Sequence, residues 1–144
     1  MLSSTCKYAL RAVLYLALNA QEGQKIGIKQ ISKDLEIPTP FLGKILQTLA
    51  KHRLLTSTKG PNGGFGLGIA PDEIRLMDVV EIIDGMDNFN RCVIGVKYCS
   101  EQEHQCALHS RYARLREEIK EIFNSVTITE LAEEVASGKQ TINI

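Results

Sequence analysis

The sequence predicts a mainly α-helical fold carrying one small β-hairpin. Three observations predict it. Apolar residues recur at helical spacing through residues 5–20, 28–35, 39–51 and 107–126. Residues 54–69 break that period with two β-type runs around Lys59-Gly60-Pro61-Asn62-Gly63-Gly64. A third stretch, residues 92–109, is polar and shows neither pattern.

The chain has 144 residues, 44% apolar and 24% charged, which suits one globular domain or one domain with an extension. Its early apolar run, Ala12 to Leu18, falls far short of the roughly 20 residues that cross a bilayer. No signal-peptide cleavage pattern is present, so the expectation is a cytoplasmic protein with no membrane partner. In a reducing compartment four cysteines speak for metal, cluster or redox chemistry rather than structural disulfides. Residues 1–60 carry nine basic groups against three acidic ones, and the remainder eight against fourteen. A basic half joined to an acidic half suggests a polyanion-binding module attached to a part with another task.

Residues 5–20 are apolar nearly all round and read as a buried helix. Ile28, Ile31 and Leu35 mark a second, short helix, which Glu36-Ile37-Pro38 ends because Pro38 disfavours helical geometry at Ile37. Thr39 as N-cap and Pro40 at the first helical position start a third helix. Phe41, Leu42, Ile45, Leu46 and Leu49 should face inward, leaving Pro40, Gly43, Lys44, Gln47 and Lys51 outward. Two helices with a tight turn and a basic, amide-bearing outer face describe a helix-turn-helix, with a plain helical hairpin as the competing reading. The glycine-rich hairpin that follows reads as a wing and favours a winged helix-turn-helix DNA-binding domain. Thr39, Pro40, Gly43, Lys44 and Gln47 are the candidate base-facing residues, Gln47 suiting adenine and Lys44 guanine. Lys51, Lys59 and Asn62, with Gly60, Pro61 and Gly63 at the wing tip, are assigned to phosphates or the minor groove. His52 is read as a phosphate contact or a helix C-cap.

Residues 75–84 form a short amphipathic helix ended by Gly85. Beyond the polar stretch, Leu108, Tyr112, Leu115, Ile119, Ile122 and Val126 step by four and three, the spacing of a long helix laid on a partner helix. A two-fold homodimer is the economical reading. Thr127 and Glu130 form a capping box for a last short helix.

The polar stretch holds Cys92, Cys99 and Cys106 at even spacing of seven, then His109 three residues later. It has little apolar content to order it, and three thiolates with an imidazole around a metal or an iron–sulfur cluster would do so. The competing reading makes the cysteines ordinary small hydrophobes. His104 is read as solvated and Cys6 as a small residue of the first helix.

With these pieces placed, the chain resembles the IscR/NsrR-type family of bacterial winged-helix regulators. The residues that carry the resemblance are Lys7-Tyr8-Ala9-Leu10-Arg11-Ala12, Ile37-Pro38-Thr39-Pro40-Phe41-Leu42, the wing from Lys59 to Leu67, the three cysteines and Cys106-Ala107-Leu108-His109. The resemblance implies a homodimeric transcription regulator whose operator binding responds to a cluster, 2Fe–2S favoured and 4Fe–4S the alternative. It assigns Cys92, Cys99 and Cys106 as thiolate ligands and His109 as the fourth. The chain departs from the family pattern in three places. Each cysteine interval is one residue longer, Lys59 stands for the wing arginine, and Lys7 stands where nitric-oxide sensors carry an aspartate ligand.

The expected organisation is a DNA-binding domain over 1–70, whose first helix also packs at the dimer interface. A connecting helix follows within 71–91, then a cluster-binding loop at 92–109. A dimerisation helix and final short helix occupy 107–136, with a flexible tail at 137–144. Rival readings keep the scaffold but make the cysteine site structural zinc or a metal-free thiol sensor, or make the chain a small redox or cluster-carrier protein. No phosphate loop and no nucleophile–base arrangement supports an enzyme.

Overall fold

The computed structural model describes residues 2–91, 94 and 107–138. Among them the chain forms α1 (Ser4–Asn19), α2 (Ile28–Leu35), α3 (Thr39–Lys51), β1 (Leu55–Thr58), β2 (Gly64–Leu67), α4 (Leu76–Ile83), α5 (Asp87–Asn90), α6 (His109–Ser125) and α7 (Ile128–Ala136). This is the mainly helical architecture with one antiparallel hairpin that the sequence predicts. Cys92, Cys99, His104, Cys106 and residues 139–144 lie outside the described residues.

α1 is the element on which the others are laid. Cys6, Ala9, Ala12, Val13 and Leu16 are fully buried along it, and α2, α3, α4 and α7 all pack on α1, the small Cys6, Ala9 and Ala12 permitting close approach. The main core adds Ile31, Leu35, Leu42, Leu46 and Leu49 from the helix-turn-helix and Leu55 and Phe65 from the hairpin. At roughly 2 kcal/mol for each fully buried Leu or Ile, this cluster dominates the stability of the N-terminal half. Ser3 caps α1 by accepting from the Cys6 amide at 3.0 Å. The Asp84 carboxylate then accepts from the Ser3 amide at 2.8 Å and from the Ser3 hydroxyl, placing a negative charge where the helix dipole favours one.

α2 ends at Glu36, which takes a left-handed φ of 54°, with the Ile37 amide donating back to the Ser32 carbonyl at 3.1 Å. The sequence places Thr39 at the N-cap of α3, but Pro38 holds that position and Thr39 is the first helical residue. Thr39 has a different acceptor: its hydroxyl donates to Ser32 Oγ at 2.8 Å, and Ser32 Oγ donates to the Ile37 carbonyl at 2.6 Å. The capping role passes to tertiary bonding that ties α3 to α2. Phe41 also departs from expectation. It is 38% exposed, because Leu42, Ile45, Leu46 and Leu49 fill the inward arc and Phe41 lies about 100° away from Leu42.

At the end of α3, Arg53 adopts a left-handed φ of 64° and swings the chain into β1. The strands pair Leu55 with Leu67 and Thr58 with Gly64, and the Gly63 amide closes the tip turn on the Gly60 carbonyl at 3.0 Å. β2 has a second neighbour that the sequence did not announce. Ile26 and Phe65 exchange amide–carbonyl bonds at 2.8 and 2.9 Å. A Cβ on Gly64 would sit 2.3 Å from the Ile26 carbonyl oxygen, and one on Gly66 would sit 2.7 Å from that of Gln24. Only glycine fits there.

The later helices return to α1. Backbone bonds from Leu76 N to Val126 O (3.2 Å) and from Ile128 N to Ile74 O (2.9 Å) join the starts of α4 and α7. Thr127 and Glu130 form the predicted capping box. A smaller core gathers Cys6, Met77, Val80 and Phe89, with Ile119 and Phe123 of α6 packed against it. Phe89 and Phe123 meet edge-on at 5.9 Å, and the single turn of α5 that presents Phe89 leaves no periodic signal in the sequence. No residue of α6 is fully buried. Its predicted stripe splits: Leu115 and Ile122 are 52% and 54% exposed, while Tyr112 and Ile119 are half-covered.

Candidate nucleic-acid interface and ligand segment

Because α3 turns Leu42, Ile45, Leu46 and Leu49 inward, Pro40, Lys44, Gln47 and Lys51 form an exposed stripe on its far side. Thr39 and Gly43 lie at its half-covered margin. Gly43 also has a structural role, since a Cβ there would press on Ile28 Cδ1 at 3.3 Å. At the wing, Lys59, Gly60, Pro61 and Asn62 are exposed and Gly63 is half-covered. Gly60 takes a φ of 106° in open space, so it shapes the turn rather than clearing room for a ligand.

A surface hollow of about 560 Å³ lies between α3 and the hairpin, lined by Gln47, Ala50, Lys51, Arg53, Thr56 and Ser57 among others. Arg53, Thr56 and Ser57 are the residues that sequence reasoning left out of the site. The polar run Thr56-Ser57-Thr58 and a second cation, Arg53, two residues after Lys51 are the available signal. Lys25 reaches the same surface, donating from Nζ to Thr56 Oγ1 at 2.6 Å. His52 is the C-cap residue of α3. Among the described residues, no ion pair engages Lys44, Lys51, Arg53 or Lys59. A polar, cationic face on α3 and the hairpin suits a polyanion.

α1 also straps α2 from outside. Tyr15 OH donates to Asp34 Oδ2 at 2.5 Å, and Gln30 Nε2 donates to the same oxygen at 2.8 Å. The bond from Tyr15, then that from Gln30, holds the Asp34 carboxyl below its ordinary range. Burial, then the Asp34 contact, pushes the Tyr15 phenol up to about 12.

Of the four candidate ligands, His109 lies within the described residues. It is the first residue of α6 and is half-buried, which sets the imidazole at a fixed point three positions after Cys106. The donor set suits an iron–sulfur cluster: thiolates are the soft anionic ligands iron prefers, and imidazole is an established substitute. On the N-terminal side, Phe89, three residues before Cys92 in the sequence, is buried in the smaller core. Cys6 does not fit as a ligand. It is fully buried, and burial, with the Asp84 carboxylate adding to it, pushes its thiol up to about 12. Among the described residues no group of three or more His, Cys, Asp or Glu side chains could hold a metal ion. No described helix is long and apolar enough to cross a membrane.

Comparison with known proteins gives a consistent picture. The Rrf2 family profile, described as an iron-dependent transcriptional regulator, matches residues 2–134. A protein of Aquifex aeolicus named as an HTH-type transcriptional regulator is 35% identical over 130 residues, spanning 90% of this chain and 89% of its own. The transcriptional regulator IscR of Pectobacterium atrosepticum is 30% identical over 143 residues, spanning 99% and 83%. Among solved structures, CymR, the global cysteine regulator of B. subtilis, superposes with a TM-score of 0.75 at 25% identity, over 92% of this chain and 96% of that one. IscR of T. potens shares the fold with a TM-score of 0.74 at 20% identity, over 99% and 93%.

Proposed function

The chain belongs to the Rrf2 family of transcriptional regulators, and on that premise we propose a specific way of working. It is a cytoplasmic homodimer that reads double-stranded operator DNA with α3 and the wing. Its operator affinity is set by an iron–sulfur cluster, 2Fe–2S by preference, held by Cys92, Cys99, Cys106 and His109. It is a regulator and not an enzyme. One conjunction carries the reading: an exposed basic α3–wing face in the same chain as His109 at the head of α6, three residues past Cys106.

In this reading Gln47 and Lys44 meet base edges, with Thr39, Pro40 and Gly43 beside them, while Lys51, Lys59 and the tip from Gly60 to Gly63 meet phosphate or the minor groove. When bound on Cys92, Cys99, Cys106 and His109, the cluster would supply a redox-sensitive centre. The chain's own part is to carry its state from His109 into α6. α6 begins at His109 and reaches the smaller core through Ile119 and Phe123, so fixing its head fixes the helix. The half-exposed Leu115 and Ile122 are the side chains on which a second copy packs.

A second reading is a metal-free thiol regulator on the same scaffold, favoured by the likeness to the B. subtilis cysteine regulator. Anaerobic purification separates the two. Iron and acid-labile sulfide in equal amounts, with a visible chromophore lost in Cys92→Ala, support the cluster. A colourless protein free of iron, yet binding DNA in a thiol-dependent manner, supports the second reading. Stoichiometric zinc without colour sinks both.

A further inference from the structure

We propose that Tyr8 and Arg11 of α1 are positioning residues that fix the angle of the recognition helix, and so determine DNA specificity without touching DNA. The proposal rests on the DNA-reading surface described above.

The apolar core cannot do this alone. Contacts among Leu42, Leu46 and α1 are non-directional and tolerate small rotations of α3. Reading base edges demands more, with side chains held to about 0.5 Å and 10–20°. The leading end of α3 therefore needs directional contacts, and α1 supplies them. Phe41, the third residue of α3, meets the Tyr8 ring at 5.7 Å and 86°, an edge-to-face pair. The Arg11 guanidinium carbon lies 5.5 Å from the Tyr8 centroid, within cation–π range. Arg11 Nη2 also donates to the Leu35 carbonyl at 3.0 Å, where α2 ends. One arginine thus grips the end of α2 and, through a stacked ring, the start of α3. Those are the two sides of the turn.

Two features say that this arrangement serves position rather than stability. Arg11 Nε is buried and, among the described residues, has no hydrogen-bond partner, a cost that an apolar side chain in its place would avoid. Phe41 is held edge-on at the surface, 38% exposed, though it contributes little to the core. The clamp also sits where the later helices arrive. Tyr8 and Arg11 line a hollow of about 430 Å³ together with Leu76, Phe123 and Leu131 of α4, α6 and α7.

The test starts from a binding site selected by the full-length wild-type protein out of a random duplex pool. Affinities for that site and for a scrambled duplex of equal length are then measured at one salt concentration, with thermal unfolding of every variant. Arg11→Met and Tyr8→Leu are each expected to weaken the selected site by about tenfold while leaving the scrambled duplex within about twofold. Tyr8→Phe, which keeps the ring, is expected to retain the wild-type ratio. Arg11→Met combined with Phe41→Leu should fall no further than the worse single variant, since both break one clamp. A ratio unchanged in both Arg11→Met and Tyr8→Leu overturns the proposal, as does a parallel fall on both duplexes. If wild-type protein selects no sequence, the DNA-reading surface fails and the clamp fails with it. Should Arg11→Met not fold, the contrast between Tyr8→Leu and Tyr8→Phe decides alone.

Discussion

Replacing Leu115 and Ile122 together by serine removes two apolar side chains that a single chain leaves 52% and 54% exposed. Fully burying such a side chain is worth about 2 kcal/mol, so roughly half of that remains to be gained when a partner covers each. A two-fold interface counts each residue twice, giving about 4 kcal/mol, or close to a thousandfold in the dimer dissociation constant. The chain's own fold should be nearly untouched, because exposed substitutions shift stability by only about 0.5 kcal/mol. Sedimentation velocity over a dilution series reads the association directly, and circular dichroism reads the helix content. The expected result is a folded monomer at concentrations where wild type is a dimer. A double variant that stays dimeric throughout the same series would refute the assignment of this α6 face to a second copy.

Lys51→Ala should weaken binding to every duplex and lower the salt slope by about 0.9, one phosphate's worth of counterion release, as read by titrations at several salt concentrations. Gln47→Ala should instead change which sequence is preferred; a uniform fall on all sequences would remove it from the base-reading set. Thr127→Ala removes the cap that accepts from the Glu130 amide at 3.2 Å and should cost about 1 kcal/mol, measured as a drop of several degrees in Tm. Bonding to the Thr127 backbone amide, then to its hydroxyl, depresses the Glu130 carboxyl. The backbone bond survives in Thr127→Ala, so only the hydroxyl's share is lost. That share is present above the ordinary carboxylate pKa and fades as pH falls through the depressed value, so this part of the difference between wild type and variant should shrink in acid. With its thiol pushed up to about 12, Cys6 stays protonated at neutral pH. It should be the slowest cysteine to alkylate in the folded chain, by mass-mapped labelling, and Cys6→Ala should leave iron content unchanged.

What could be read from the sequence was what short range decides. The buried stripe Leu42-Ile45-Leu46-Leu49, the turn chemistry from Lys59 to Gly64 and the Thr127–Glu130 box each depend on residues within one or two turns. The misreadings lie where a distant partner intervenes. Thr39 looks like a cap until Ser32 is found beside it, and Phe41 looks like core until α1 offers Tyr8 instead. α5 is too short for any period to register, and it exists to deliver Phe89 to Phe123. The stripe on α6 was visible as a repeat, but its division into a covered part and an exposed part depends on where α4 lies. On the candidate interface, the stripe Pro40, Lys44, Gln47 and Lys51 followed from helical period. Arg53 and Thr56 join it only because a left-handed residue folds the strand back against α3.

The two glycines of β2 that lie against Gln24 and Ile26 give the wing an unequal freedom to vary. Its base is a joint in which any added carbon atom collides with neighbouring main chain, so substitution there disrupts the hairpin before it can alter what the hairpin touches. Its tip, from Lys59 to Asn62, is exposed among the described residues. Lys59, Pro61 and Asn62 can therefore be exchanged for other side chains, with Gly60 keeping the turn at its φ of 106°, while the joint holds the hairpin in the same place beside α3.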